Sequence, residues 1–130
     1  HTLFLQNFVQ HSTPLSISGY RLDNSDGHDR VELNIRDNGR QQQLLGEGEG
    51  AISAFIDAWQ RYSGDTLYMV DYAEHATGEG TDAEAACYVH LNINGCRVSG
   101  AALDYDTVSA SLKAVLSAIN RQRLTVQTAA

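Results

Sequence analysis

Two segments of the chain concentrate residue types that bind or transform small molecules. Gly46-Glu47-Gly48-Glu49-Gly50 stands directly before Ile52, Phe55, Ile56 and Trp59, an apolar stripe of helical spacing. Glycines at a helix start let a ligand approach the free backbone N–H groups and the positive end of the helix dipole, which suits an anion. A phosphate would meet Glu47 and Glu49, and the lysine and Ser/Thr of a P-loop are missing. A zwitterion fits better, its carboxylate on the helix N–H groups and its ammonium on a carboxylate such as Glu49. The plainer alternative is that these glycines only permit a tight strand-to-helix turn.

The second segment runs from Asp71 to Ala85 as D-Y-A-E-H-A-T-G-E-G-T-D-A-E-A. Glu74, His75, Glu79 and Asp82 are metal-ligand types, but no pair has a diagnostic spacing and no Cys or second His stands near them, so no metal site is expected. His75 and Tyr72 are read instead as orienting a turn or shaping a pocket. His90 alternates with an apolar face and should point away from it; His11 and His28 carry no signal. A nucleophile elbow, a recognisable Cys/His pair and H-E-x-x-H are all missing. A small enzyme using Glu74, His75 and Asp82 as acid–base groups stands as a distant alternative. Small residues gather before and within both helix starts, and a small apolar pocket there would have Ile52, Tyr72, Ala76, Ala83, Ala85 and Leu103 as walls.

The elements that must position these residues come as two copies. Asn38-Gly39 and Asn94-Gly95 lie 56 positions apart, and Asn-Gly between strand-like runs signals a two-residue hairpin turn. The same offset lays Val31, Leu33 and Ile35 on Cys87, Val89 and Leu91, Ile52-Ser53-Ala54 on Val108-Ser109-Ala110, and Ala58 on Ala114. Each copy reads as three strands and a helix. In the first, Leu15 to Leu22, Arg30 to Arg36 and Gln41 to Glu47 are strands, with a polar turn from Asp23 to Gly27. In the second, Leu67 to His75, Ala85 to Ile93 and Arg97 to Leu103 are strands, and Asp106 caps a helix with the stripe Val108, Leu112, Val115, Leu116 and Ile119. The expected architecture is therefore α+β, a single domain of two βββα repeats with antiparallel sheets packed on helices. Its units are 13–64 and 65–122; residues 1–12, with a short helical turn at Leu3 to Val9, are read as the residue of a preceding domain and 123–130 as a tail, Arg121 to Ala130 fraying.

Composition sets the limits. The 130 residues, 42% hydrophobic and 19% charged, match one globular domain, and 9 Lys+Arg against 16 Asp+Glu leave a formal charge of -7, the wrong sign for tracking nucleic acid or an anionic membrane. No apolar run approaches the roughly 20 residues of a membrane helix, so a cytoplasmic protein is expected. The start at His1 points to a fragment of a longer chain. The Asn94-Gly95 hairpin places Cys96 opposite Ile93, about 20 Å along the strands from Cys87, too far for a disulfide. Cys87 is expected in the core.

The runs G-E-G-E-G-A-I-S-A-F-I-D-A at 46–58, D-Y-A-E-H-A-T-G-E-G-T-D-A-E-A at 71–85 and S-A-S-L-K-A-V-L-S-A-I-N-R at 109–121 resemble the C-terminal regulatory domain of 2-isopropylmalate synthase. The resemblance implies a dimerising βββα-βββα domain, without cofactor or catalytic activity of its own. It would bind leucine as feedback inhibitor of an acyltransferase barrel that condenses acetyl-CoA with 2-oxoisovalerate. It lays the effector site on Gly48, Glu49, Gly50, Ile52, Ser53, Met69, Tyr72, Ala76, Ala83, Ala85, Leu103, Tyr105 and Ala110. Two departures stand out: the family's usual G-N-G-P is Gly48-Glu49-Gly50-Ala51 here, and Ala102 replaces a usual glycine, which would narrow the backbone approach. The similar domain of citramalate synthases senses isoleucine, and a dimerisation module without ligand is a further alternative.

Overall fold

The two Asn-Gly turns form as their composition dictates. Asn38 and Gly39 adopt φ of 53 and 79°, Asn94 and Gly95 of 53 and 87°, the paired positive dihedrals that a type I′ hairpin needs to match strand twist. The computed structural model describes residues 15–25, 27–76 and 83–129. Its elements are β1 (Ser16–Ser25), β2 (His28–Asp37), β3 (Arg40–Gly48), α1 (Ala51–Ser63), β4 (Leu67–Ala76), β5 (Ala85–Ile93), β6 (Cys96–Asp104) and α2 (Thr107–Ala129). Two separate three-stranded antiparallel sheets, β1-β2-β3 and β4-β5-β6, are each followed by a helix. This is the expected βββα-βββα arrangement.

The repeat extends further than the 56-residue offset. Register shifts occur between Ile17 and Gly19 on β1 and between Met69 and Asp71 on β4, so the same β-bulge recurs at an offset of 52 residues. The first strands are four residues closer than the other elements because the β4–β5 connection is longer. Beyond each bulge, Tyr20 pairs with Leu33 and Tyr72 with Val89, the same register position in each copy.

Alternation buries one face of each sheet. Val31, Leu33 and Ile35 of β2 and Cys87, Val89, Leu91 and Ile93 of β5 are buried and join one core with Phe55, Ala58 and Trp59 of α1 and Leu112, Val115, Leu116 and Ile119 of α2. Each first strand crosses to the other unit's helix. The N–H of Leu15 donates to Asn120 Oδ1 at 2.8 Å and Asn120 Nδ2 donates back to the Leu15 carbonyl at 3.1 Å; Leu67 N–H donates to Gln60 Oε1 at 2.9 Å. These crossings lock the units into one body.

Two glycines permit the close helix–strand contact. A Cβ on Gly46 would lie 2.2 Å from the Ala54 carbonyl oxygen, and one on Gly100 would lie 2.2 Å from that of Ala114. The approach in the second unit is thus shifted by two residues along the strand and one turn along the helix. That shift is why Ala102 is tolerated where the first unit has Gly46: the tight contact has moved to Gly100, and Ala102 packs at the core edge instead.

Helix α2 departs from expectation at its end, running to Ala129 where a fraying tail was expected from Arg121. The Asn120 bonds to Leu15 and an ion pair from Arg123 Nη2 to Asp37 Oδ1 at 3.3 Å tie its last turns to the first unit. Strand β1 likewise continues through Ser25, into the segment expected as a turn. Both cysteines are free, Cys87 buried and Cys96 exposed opposite Ile93. No helix among the described residues is long and apolar enough to cross a membrane. Leu3 to Val9 and His11 lie outside the described residues.

Candidate functional site

The glycine turn delivers β3 into α1, and among the described residues no side chain caps the helix start. Gly50 is the N-cap, at φ 109°, and makes no side-chain cap bond; the first turn holds no acidic residue. The backbone closes the bond from Ala54 N–H to the Gly50 carbonyl, at 3.0 Å, and among the described residues the earlier N–H groups of the first turn have no cap. Gly48 is held against Ser53: a Cβ there would stand 2.8 Å from the Ser53 carbonyl carbon and Cβ. Glu47 turns away toward Arg30, 3.3 Å off, while its N–H donates to Asp57 Oδ2 at 2.9 Å. Glu49 is exposed.

The equivalent junction of the second unit is filled. Asp106 occupies the place of Gly50, and its carboxylate accepts the Ser109 N–H at 3.1 Å and the Ser109 hydroxyl at 2.8 Å, the cap read from the sequence. Tyr20 reaches it from the other unit, donating its hydroxyl at 2.6 Å. The bonds from Tyr20 and Ser109 hold the Asp106 carboxyl below the usual carboxylate range, while burial and the Asp106 acceptor push the Tyr20 hydroxyl up.

Tyr72 anchors a second group. Its hydroxyl donates to Glu74 at 2.6 Å and lies 3.0 Å from Ser111 Oγ and 3.8 Å from Cys87 Sγ. Burial first, then the Glu74 acceptor, push this phenol up to about 12. Ser111 is buried and donates to the Thr107 carbonyl at 3.0 Å. The arrangement sets a phenol and a serine hydroxyl, beside the Glu74 side chain, against the first turn of α2, where they can hydrogen-bond a ligand.

The residues expected to form one site are partly brought together. Gly48, Gly50, Ile52 and Ser53 form the α1 junction; Met69, Tyr72 and Ala85 share the inner side of the second sheet, and Ala110 is buried on α2. Ala83 is half-buried and Ala76 exposed at the sheet end. Leu103 and Tyr105 are not part of the group. Leu103 pairs with Ala86 on the outer face, 57% exposed, and Tyr105 is 71% exposed. Alternation explains this: Leu103 stands one residue past the inward-facing Ala102, so its side chain must point out.

Glu74 and His75 lie on opposite sides of β4. His75 packs edge-on to Tyr88 of the outer face, centroids 6.1 Å apart, so the two cannot act on one substrate atom. Glu79 and Asp82 lie outside the described residues, and among the described residues no cluster of three metal-ligating side chains occurs. His90 sits on the outer face, its Nδ1 at 2.9 Å from Ser99 Oγ. Tyr20, Ser109 and Ser111 were not singled out from the sequence; the recurrence of a tyrosine 52 positions before Tyr72 is the signal that finds the first.

Fold and junctions define an internally duplicated α+β domain in which one helix start is capped by a carboxylate and its counterpart has no side-chain cap among the described residues. The chain belongs to the family described as the LeuA allosteric (dimerisation) domain, whose model matches residues 1–123. It is 34% identical over 122 residues to a 2-isopropylmalate synthase of Pseudomonas syringae pv. tomato, covering 93% of this chain and 21% of that protein. It is 38% identical over 114 residues to that of Brucella melitensis, covering 88% and 20%, and 40% identical over 108 residues to that of Thermobifida fusca, covering 82% and 19%. The chain thus spans about a fifth of the length of these relatives.

Proposed function

We propose that this domain is the leucine sensor of a 2-isopropylmalate synthase, binding leucine as feedback inhibitor of the acetyl-CoA and 2-oxoisovalerate condensation carried out elsewhere in the parent protein. The observation that carries this reading is the α1 junction. Where the second unit fills its helix start with the Asp106 carboxylate, the first presents Gly50 and open N–H groups, the place for a carboxylate supplied from outside. Ile52 in the first turn of α1 is apolar and half-buried, and Met69 and Tyr72 on the inner side of the second sheet supply an apolar chain and a hydroxyl. In this reading the domain works as a homodimer in the cytoplasm, and inhibition requires leucine to favour one arrangement of the parent enzyme by the ~1–3 kcal/mol typical of allosteric coupling.

Calorimetric titration of the 130-residue chain with leucine, isoleucine and valine, beside a sizing run, tests it. Saturable binding with leucine preferred is the expected result. Preference for isoleucine would move the domain to a citramalate synthase, and silence from all three in a stable dimer would make it a dimerisation module.

A further inference from the structure

The two Asn-Gly turns are alike in backbone and exposure and differ in what holds them. Asn38 and Asn94 share a φ of 53°, each is followed by a glycine of positive φ, and all four residues are exposed. The Asn94 side chain is held at both ends. Its Oδ1 accepts from the Thr66 N–H at 2.8 Å and its Nδ2 donates to Asp65 Oδ1 at 2.9 Å, while the Gly95 N–H donates to Asn92 Oδ1 at 2.9 Å. Among the described residues the Asn38 side chain and the Gly39 N–H have no hydrogen bond. The residue equivalent to Asn92 in the first unit is Arg36, whose guanidinium carries no acceptor.

We propose that Asn38 is a site of spontaneous covalent modification, deamidating to aspartyl and isoaspartyl forms, while the fold holds Asn94 back. In this reaction the Gly39 nitrogen gives its proton to hydroxide and attacks Asn38 Cγ. The new C–N bond closes a succinimide ring, and the Cγ–Nδ2 bond breaks to release ammonia, which takes a proton from water and so restores the hydroxide. Water then adds to either ring carbonyl and opens the ring, leaving the carboxylate on the side chain or, in the isoaspartyl form, on the main chain. The net exchange is one water taken up and one ammonia released. Glycine leaves the attacking nitrogen unshielded by a Cβ, but the asparagine side chain must rotate to bring Cγ onto it. At Asn94 that rotation breaks the bonds to Thr66 and Asp65, and removing the Gly95 proton breaks the bond to Asn92; at Asn38 nothing is broken. The consequence falls on the contact between units. The new carboxylate arises beside Asp37, which accepts from Tyr62 and Arg123, and the isoaspartyl form adds a backbone carbon to the turn that keeps β2 and β3 in register.

Incubation of the 130-residue chain at mildly alkaline pH, sampled over time and mapped by peptide mass spectrometry, tests this. The mass gain that replaces an amide NH2 by OH should appear at Asn38 at least about tenfold faster than at Asn94, the ratio expected when one charge-assisted hydrogen bond must first break. In guanidinium chloride, where the fold and its hydrogen bonds are lost, the two rates should draw level. Asn38→Gly keeps a residue suited to the positive φ of the turn and has no side-chain amide to lose, so it should abolish the fast phase of ammonia release from the folded chain. Equal rates in the folded chain, Asn94 the faster of the two, a gap that survives in guanidinium chloride, or a fast phase that persists in Asn38→Gly would each overturn the proposal.

Discussion

Tyr20 and Tyr72 occupy the same position in the two repeats, two residues past the same bulge, yet Tyr20 donates across the unit boundary to Asp106 whereas Tyr72 donates to Glu74 on its own strand. The Tyr20 contact ties the first strand of one unit to the helix start of the other. Tyr20→Phe keeps the ring packed against the core and removes only that tie, so it should lower the unfolding free energy by about 1 kcal/mol. Urea denaturation of the two chains, with unchanged slope and a lower midpoint for the variant, checks this.

Alkaline pH should destabilise the domain through these phenols. In the folded chain Tyr72 titrates near 12, raised from the ordinary value of 10.0, and Tyr20 and Tyr62 are shifted in the same direction. An unfolded chain loses these protons first, so the stability associated with the neutral phenols is present below pH 10 and falls as pH rises through 10 toward 12. Tyr72→Phe should flatten that fall without removing it, since Tyr20 and Tyr62 still contribute. Thermal melts from pH 8 to 12 read the difference in slope.

The acid limb has the opposite sign. Asp106 is held below its ordinary value by the bonds from Tyr20 and Ser109, and Asp104 by Lys113, whose Nζ lies 2.6 Å away. A carboxyl lowered in the folded state stabilises above its unfolded value, near 3.9, and loses that contribution as pH falls through the folded value. Asp106→Asn keeps an N-cap acceptor but removes the titrating carboxyl, so it should lose at neutral pH the contribution that the lowered carboxyl makes there and reduce the steepness of acid unfolding. Acid titration followed by circular dichroism compares the two chains.

Gly46 and Gly100 should be intolerant of any side chain. A methyl at either place would press on a backbone carbonyl that cannot move without displacing the helix, and overpacking of this kind costs about 1–3 kcal/mol. Gly46→Ala and Gly100→Ala should both lower the melting temperature by several degrees, an estimate for a domain of this size. Ala102→Gly, where no tight contact needs relieving, should be destabilising by at least roughly 0.5–1 kcal/mol, through backbone entropy and the loss of a methyl packed at the core edge.

The architecture was legible because the chain states it twice. Asn38-Gly39 and Asn94-Gly95 fixed the hairpins, and alternation from Val31 and from Cys87 fixed which faces are buried. Tyr20 escaped because four extra residues between Ala76 and Ala85 break the 56-residue offset for the first strands, hiding its correspondence with Tyr72. The end of α2 escaped because its last turns carry no apolar stripe. Arg123 holds them through Asp37 from the first unit, a contact over 86 positions that no local pattern encodes. Leu103 reads as a pocket wall from its place beside the second junction until its register on β6, which turns it outward, is fixed.

The two junctions together make a separable prediction about the effector. Asp106 shows what a carboxylate does at this helix start: it accepts from the backbone N–H and the hydroxyl of Ser109, the residue equivalent to Ser53. Ser53→Asp would place a carboxylate in the first turn of α1, which now has no acidic residue. Interaction with the open N–H groups and the helix dipole should raise stability by about 0.3–1 kcal/mol. The same charge would repel the carboxylate of an incoming amino acid and compete for its donors, so leucine affinity should fall by at least about tenfold. Measured side by side, a higher denaturation midpoint with weaker leucine binding is the expected pair. A higher midpoint with unchanged leucine binding would remove the α1 helix start from the effector site, and the zwitterion would then have to be sought elsewhere on the domain.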